Sequence, residues 1–360
     1  MKTIKIFLSS SSELENDICA LARFVHQLNK KVYEKRDICL QLFQWEYFET
    51  GNYSGNRYQD AYNDIADCDI FIALFHKTAG AFTIAEYDNS IESFRKIGQP
   101  KVYIYFKTLK EGDIESESLR IFKERLSDLG CYPTYYHNID ALQLHFVMQL
   151  QLVESNHSEE LKVEDGKVVL DGMPITRMEN LPFAGQNEDF QRLSTRLAEL
   201  PAKIEKARAK TEKYPDDEDF RDDLQALLNE YNKLKDESAE CQNNLFATAK
   251  RIAQLQGESI TDRMRRAMEA FNEGNVREAN IILDEADDLL STLEASREEV
   301  EVSIEEIKFK IQCIQYDSSL SQDKQFTRVD SLYTKAIELS KEIDYDTDRD
   351  TCKLPWHNVT

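Results

Sequence analysis

Along the first 153 residues, short apolar runs alternate with segments of helical period, the pattern of a parallel sheet wrapped by helices. Five strands are predicted, at Ile4–Ser9, Ile38–Trp45, Cys68–Phe75, Lys101–Phe106 and, more weakly, Tyr132–Tyr136. Helices are predicted over 13–30, 56–66, 82–97, 115–129 and 139–153. Residues 70–75 are apolar without interruption, as expected of a central strand covered on both faces. Successive βα units of this kind make an α/β fold with a flavodoxin-like five-stranded parallel sheet, here over residues 1–154. Its ligand crevice is expected beyond the carboxyl ends of the strands.

The period changes after residue 154. Asp165-Gly166 and Asp171-Gly172 break residues 155–186 into short β-prone pieces, which predicts a small β-rich connector. From 187 to 257 a 3-4 hydrophobic spacing runs through Phe190, Leu193, Leu197, Leu200 and Ile204, then through Leu224, Leu227, Tyr231, Leu234 and Cys241. That spacing predicts a helical hairpin or coiled coil, with its seam either between the two segments or between chains. Pro201 is expected to kink or restart the first helix. Residues 264–287 resemble a tetratricopeptide repeat, with Ala267 and Ala270 on one helix, Gly274 at the turn, and Ala279, Leu283 and Ala286 on the next. A stripe of Leu293, Val300, Ile304, Ile307, Ile311 and Ile314 is too long for a further repeat. Residues 258–360 therefore read as a TPR-like helical region, either a shortened array or a packed bundle.

Composition narrows the function. The net charge of −22 divides unevenly, with 17 Lys/Arg against 22 Asp/Glu before residue 156 and 28 against 45 after it. So acidic a chain repels nucleic-acid backbones and anionic lipid, so neither is an expected partner. Seven widely spaced cysteines without a C-x-x-C pair predict neither a disulfide framework nor a metal centre. No apolar run approaches the ~18 residues of a membrane span, and the expected location is the cytoplasm.

Chemistry-bearing residues gather where the crevice is expected. Ser9, Ser10, Ser11 and Ser12 end the first strand and open a helix whose free amides can receive a phosphate. The same residues also read structurally, Ser12 with Glu15 as a capping box, and Glu13 and Glu15 as charges opposing a phosphate. Phe7 points either into the core or toward the crevice. Trp45, Tyr47 and Phe48 precede the loop Glu49–Asn56, whose two glycines allow lid movement, and their rings can stack on a base. His76 and Thr78 follow the third strand. Neither a P-loop nor a G-x-G-x-x-G or G-x-S-x-G motif occurs, which removes support for phosphate hydrolysis and serine acyl transfer.

Three pieces, IKIFLSSSSELEND, DIADCDIFIALF and HKTAGAFTIAEYDNSIESF, resemble the Toll/interleukin-1 receptor (TIR) family, in particular its bacterial members with helical extensions. Enzymatic TIR domains carry a glutamate in the helix of the third piece, commonly four residues after an aromatic, and Phe82 and Glu86 have that spacing. The resemblance implies an NAD glycohydrolase activated by assembly, Glu86 as its catalytic residue and antiviral defence as its setting. It further implies NAD as substrate rather than cofactor, bound by Phe7, Ser9, Ser10, Trp45, Tyr47, His76, Thr78 and Phe82. It also implies self-association through both halves and a protein activator as a possible partner. The chemistry stands without the family: nicotinamide is a cationic leaving group, and a fixed carboxylate stabilises the oxocarbenium-like ribose left behind. Against this, Thr83 to Glu86 also reads as a T-x-x-E capping box. Two other functions stay open, a non-enzymatic scaffold and an enzyme like the nucleoside deoxyribosyltransferases, which also set a carboxylate against a ribosyl centre.

Overall fold

A computed structural model describes residues 1–44, 65–110, 112–129, 131, 133–153, 161–255, 261–284, 297–317 and 319–342. Trp45, Tyr47, the loop Glu49–Asn56, most of the helix predicted over 56–66, and Ala286 and Leu293 lie outside the described residues. The chain divides into two compact units, Met1–Leu181 and Pro182–Thr360.

The first unit is built on five parallel strands, β1 (Lys2–Ser10), β2 (Ile38–Gln44), β3 (Ile70–Phe75), β4 (Lys101–Lys107) and β5 (Thr134–Tyr136), in the order β2-β1-β3-β4-β5. This is the flavodoxin-like arrangement. The chain runs outward in one direction from β1 to β2 and in the other from β1 to β3, so the topological switch point lies between β1 and β3. Among the described residues the sheet is covered by α1 (Glu15–Lys31), α2 (Ala81–Ile97), α3 (Glu117–Asp128) and α4 (Ile139–Val153).

Strand alternation assigns the faces. Phe7 of β1, Phe71, Ala73 and Phe75 of β3 and Phe106 of β4 form one core cluster with Tyr87 of α2 and Leu119, Phe122 and Leu126 of α3. Phe75 and Phe122 lie 4.9 Å apart between ring centroids, and Tyr87 meets Phe122 edge-on at 5.4 Å. Each such fully buried ring contributes roughly 2 kcal/mol by leaving water, enough to fix the rotation of α2 about its axis. The alternating residues Tyr105 and Lys107 face the other way, toward His145 of α4 and Asp17 of α1.

Residues 161–181 belong to this unit. Strands β6 (Lys162–Glu164), β7 (Lys167–Leu170) and β8 (Met173–Arg177) form an antiparallel meander. Its turns place Asp165 and Gly166 at φ 46° and 75°, and Asp171 and Gly172 at 50° and 74°. Two successive left-handed residues are what a tight hairpin turn requires, and Asp-Gly supplies them. The meander is tied down by Arg36 on Asp171 at 2.6 Å and by Thr176 donating to Asp140 at 2.6 Å. It is thus attached to the α/β unit rather than a free connector.

In the second unit a short helix α5 (Pro182–Gly185) precedes the long pair α6 (Glu188–Lys213) and α7 (Glu218–Leu255). Leu193, Leu200, Ile204 and Leu234 are buried between them, so the predicted seam closes within one chain as an antiparallel hairpin. Pro201 does not restart α6: it sits exposed within a continuous helix. One lost backbone bond on the solvent side is outweighed by the leucine seam opposite. The TPR-like pair is α8 (Asp262–Asn272) and α9 (Val276–Asp284), with Ala267, Phe271, Ala279 and Leu283 buried. Gly274 joins them at φ 84°, and a Cβ there would stand 2.6 Å from the Pro182 carbonyl oxygen. Beyond them α10 (Arg297–Gln315) and α11 (Gln322–Glu342) pack through Ile304, Ile307, Ile311, Ile314, Val329 and Leu339. The described part of this region is thus a set of packed helix pairs.

Candidate active site

The local build of α2 decides where Glu86 goes. Gly80, extended at φ −68° and ψ 141°, occupies the cap position, and the helix begins at Ala81. Thr83 is therefore inside the helix rather than at its cap, and the capping-box reading of Thr83 and Glu86 fails. Instead the Thr83 hydroxyl, buried, donates to the Ser10 carbonyl oxygen at 3.3 Å. Thr83, Tyr87 and Ser90 form the buried stripe that faces the sheet, and Glu86, three residues after Thr83, lies beside it.

From that position the Glu86 carboxylate meets the carboxyl end of β1. Ser9 Oγ donates a hydrogen bond to Glu86 Oε2, joining residues 77 apart in sequence. Ser9 is 2% exposed and stands in register beside Ala73 of β3. Burial pushes the Glu86 carboxyl above its ordinary value, and the Ser9 hydrogen bond partly opposes that rise. A carboxylate thus sits half-buried at the switch point with a neutral partner.

The loop between β3 and α2 is fastened by the segment that follows β1. Ser11 donates its amide to the Leu74 carbonyl at 3.1 Å and its hydroxyl to the Thr78 carbonyl at 3.2 Å. Glu13 Oε1 accepts the amides of Lys77 and Thr78 at 2.7 and 3.0 Å and the Thr78 hydroxyl at 3.2 Å. Glu13 therefore fills with a carboxylate the kind of amide nest that receives anions, and Thr78 is engaged by it. Its expected role, opposing a phosphate at the first helix, gives way to that of a loop fastener. Helix α1 starts at Glu15 with Leu14 at its cap and no side-chain cap bond from it, and the Ser12 side chain of the expected capping box lies outside what is described.

His76 lies between Glu13 and Asp113, at 3.9 and 3.7 Å. Burial is the main cause that lowers its pKa, with Lys107 and Lys77 acting in the same direction against Glu13 and Asp113, which raise it. It is neutral at pH 7 and able to donate and accept. Phe82, one turn before Glu86, is 63% exposed. Ser10 is half-buried, with its carbonyl engaged by Thr83. Phe7 is a correction to the expected ligand contacts: it is fully buried and stacked on Phe71 with ring centroids 5.8 Å apart. A ring enclosed by the sheet's own core has no face left for a ligand.

Sequence reasoning missed the polar group on the other face of the same sheet end. Lys107 Nζ binds both oxygens of Asp17 at 3.0 and 2.8 Å, and Tyr136 donates to Asp17 at 2.8 Å. The one available signal was an aspartate in the first turn of α1 on its apolar side. Among the described residues no group of three or more His, Cys, Asp or Glu could hold a metal ion. No protein-family model and no curated protein matches the chain.

Proposed function

We propose that the chain is a TIR-type NAD glycohydrolase whose Glu86 stabilises the ribosyl cation formed as nicotinamide leaves. The observation that carries this reading is the half-buried Glu86 carboxylate hydrogen-bonded to Ser9 where β1 and β3 end, with no cation among the described residues contributing to its shift. Sheets of this topology bind ligands at that place, and a carboxylate in a low-dielectric setting is a strong partner for a positive charge that develops beside it.

The reaction balances simply. The bond between ribosyl C1′ and the nicotinamide nitrogen breaks, its electron pair goes to the nitrogen, and the ring loses its positive charge. The charge left on the ribose is held by ionised Glu86 until a water oxygen bonds to C1′ and releases a proton to solvent. ADP-ribose and nicotinamide result, and attack by a group of the substrate itself would give a cyclic product. Phe82, exposed one helical turn before Glu86, offers its ring for stacking on nicotinamide or adenine. His76, neutral, can hydrogen-bond the ribose or phosphates. The packed helices of the second unit serve self-association, which raises the local concentration of catalytic domains, and a protein activator acts through them. The setting is antiviral defence in the cytoplasm.

The test is nicotinamide release from NAD across a wide range of protein concentration, with wild type and Glu86→Ala side by side. Turnover that rises with concentration in the wild type and falls by about 10³-fold in the variant is expected. Equal rates in the two proteins would remove Glu86 from the chemistry, and competition by free nucleosides would redirect the reading to a nucleoside substrate.

A further inference from the structure

We propose that Ser9 is a positioning residue that holds the Glu86 carboxylate in its working orientation and keeps it ionised, instead of contacting substrate. The inference rests on the reading of Glu86 given above.

Three features of the geometry support it. Ser9 is 2% exposed, so its hydroxyl is enclosed with its partner and not presented to an incoming ligand. Its strand is central, hydrogen-bonded to β2 on one side and to β3 on the other, so the oxygen has a fixed position. Thr83, one turn before Glu86, is bonded to the carbonyl of Ser10, the next residue along the same strand. Residues 83 and 86 of α2 are thereby clamped to residues 10 and 9 of β1. A carboxylate accepts about four hydrogen bonds, and Ser9 is its partner among the described residues, bound to Oε2. Oε1 is left for the ribose.

Among the described residues, the charges on the elements around Glu86 do not perform this task. On its own helix Asp88 is paired with Arg125 of α3. On β4, Lys107 is paired with Asp17, and Lys101 lies at the opposite end of the strand. On β1, Lys2 and Lys5 lie toward its amino end, and β3 carries no charged residue. Burial therefore favours the neutral acid, and the Ser9 hydrogen bond is what opposes it. Only the ionised form can stabilise a cation.

The experiment compares wild type with Ser9→Ala by the pH dependence of kcat and by carbon-13 titration of the Glu86 carboxyl, assigned with Glu86→Gln. In Ser9→Ala the carboxyl should titrate at higher pH, the acid limb of kcat should move the same way, and kcat at neutral pH should fall about tenfold with KM within about twofold. Ser9→Cys, which keeps the volume with a weaker donor, should fall between the two, and it carries the test if the alanine variant does not fold. An unmoved titration and acid limb would overturn the proposal, as would a rise in KM at constant kcat, which would make Ser9 a substrate contact. Persistent NAD cleavage by Glu86→Ala would instead sink the underlying catalytic reading, while the carboxyl titration still reports on Ser9.

Discussion

Each unit of this chain takes a glutamate wholly or partly out of water, and the two are held in opposite ways. Glu306, on α10 of the helical unit, is fully buried and paired with Arg263 Nε, and Thr261 donates a second hydrogen bond at 3.3 Å. Glu86, in the α/β unit, has one neutral hydroxyl and no cation as partners among the described residues. A buried carboxylate with a guanidinium is complete, because its charge is compensated within the fold. One with a serine alone retains an uncompensated charge, which an incoming or developing cation can answer. The difference separates a carboxylate that holds structure from one that is available for chemistry.

That comparison breaks or sharpens under substitution. The largest effect is expected from Glu306→Ala, which leaves Arg263 without its partner. With the Arg263 side chain 25% exposed, the loss should lie near the lower end of the range for broken buried pairs, about 3 kcal/mol. A urea midpoint followed by circular dichroism measures it, and an unchanged midpoint would end the structural half of the comparison. Thr261→Ala comes next. Its hydroxyl accepts the Met264 amide at 3.1 Å as the cap of α8 and donates to Glu306, so about 1 kcal/mol should be lost.

Glu86→Gln should act with the opposite sign. The folded protein binds the Glu86 proton more tightly than the unfolded chain does. Its contribution to stability is therefore fully present below the ordinary carboxyl value of 4.5 and is lost as pH rises through the raised folded value. A permanently neutral glutamine avoids that loss. Its melting temperature should exceed that of wild type at neutral pH, with the difference closing as the pH is lowered toward 4. A lower melting temperature at neutral pH would mean that the charge is compensated after all.

Much of the fold was legible in the sequence, and for local reasons. The uninterrupted apolar run of β3, the Asp-Gly turns of the meander and the leucine spacing of α6 and α7 each specify an element by themselves. The candidate site was legible only in part. Glu86 could be singled out by resemblance and by chemistry, but its bond to Ser9 spans 77 residues and depends on the register of β1 with β3. The Thr83 capping box misled because the cap of α2 is Gly80, three residues before the predicted one. Alternation left Phe7 with two possible faces, and only the stacking on Phe71 assigns it to the core. The Asp17, Lys107 and Tyr136 cluster joins three elements that are distant in the chain, which no local pattern records.

The central claim is that a single uncompensated carboxylate does chemistry on a ribosyl centre. Nicotinamide release under single-turnover conditions, with saturating enzyme and Glu86→Gln as the isosteric comparison, measures it most directly. The account predicts a rate reduced by about 10²-fold or more in a variant that folds at least as well as wild type. Release at the wild-type rate by that folded variant would contradict it.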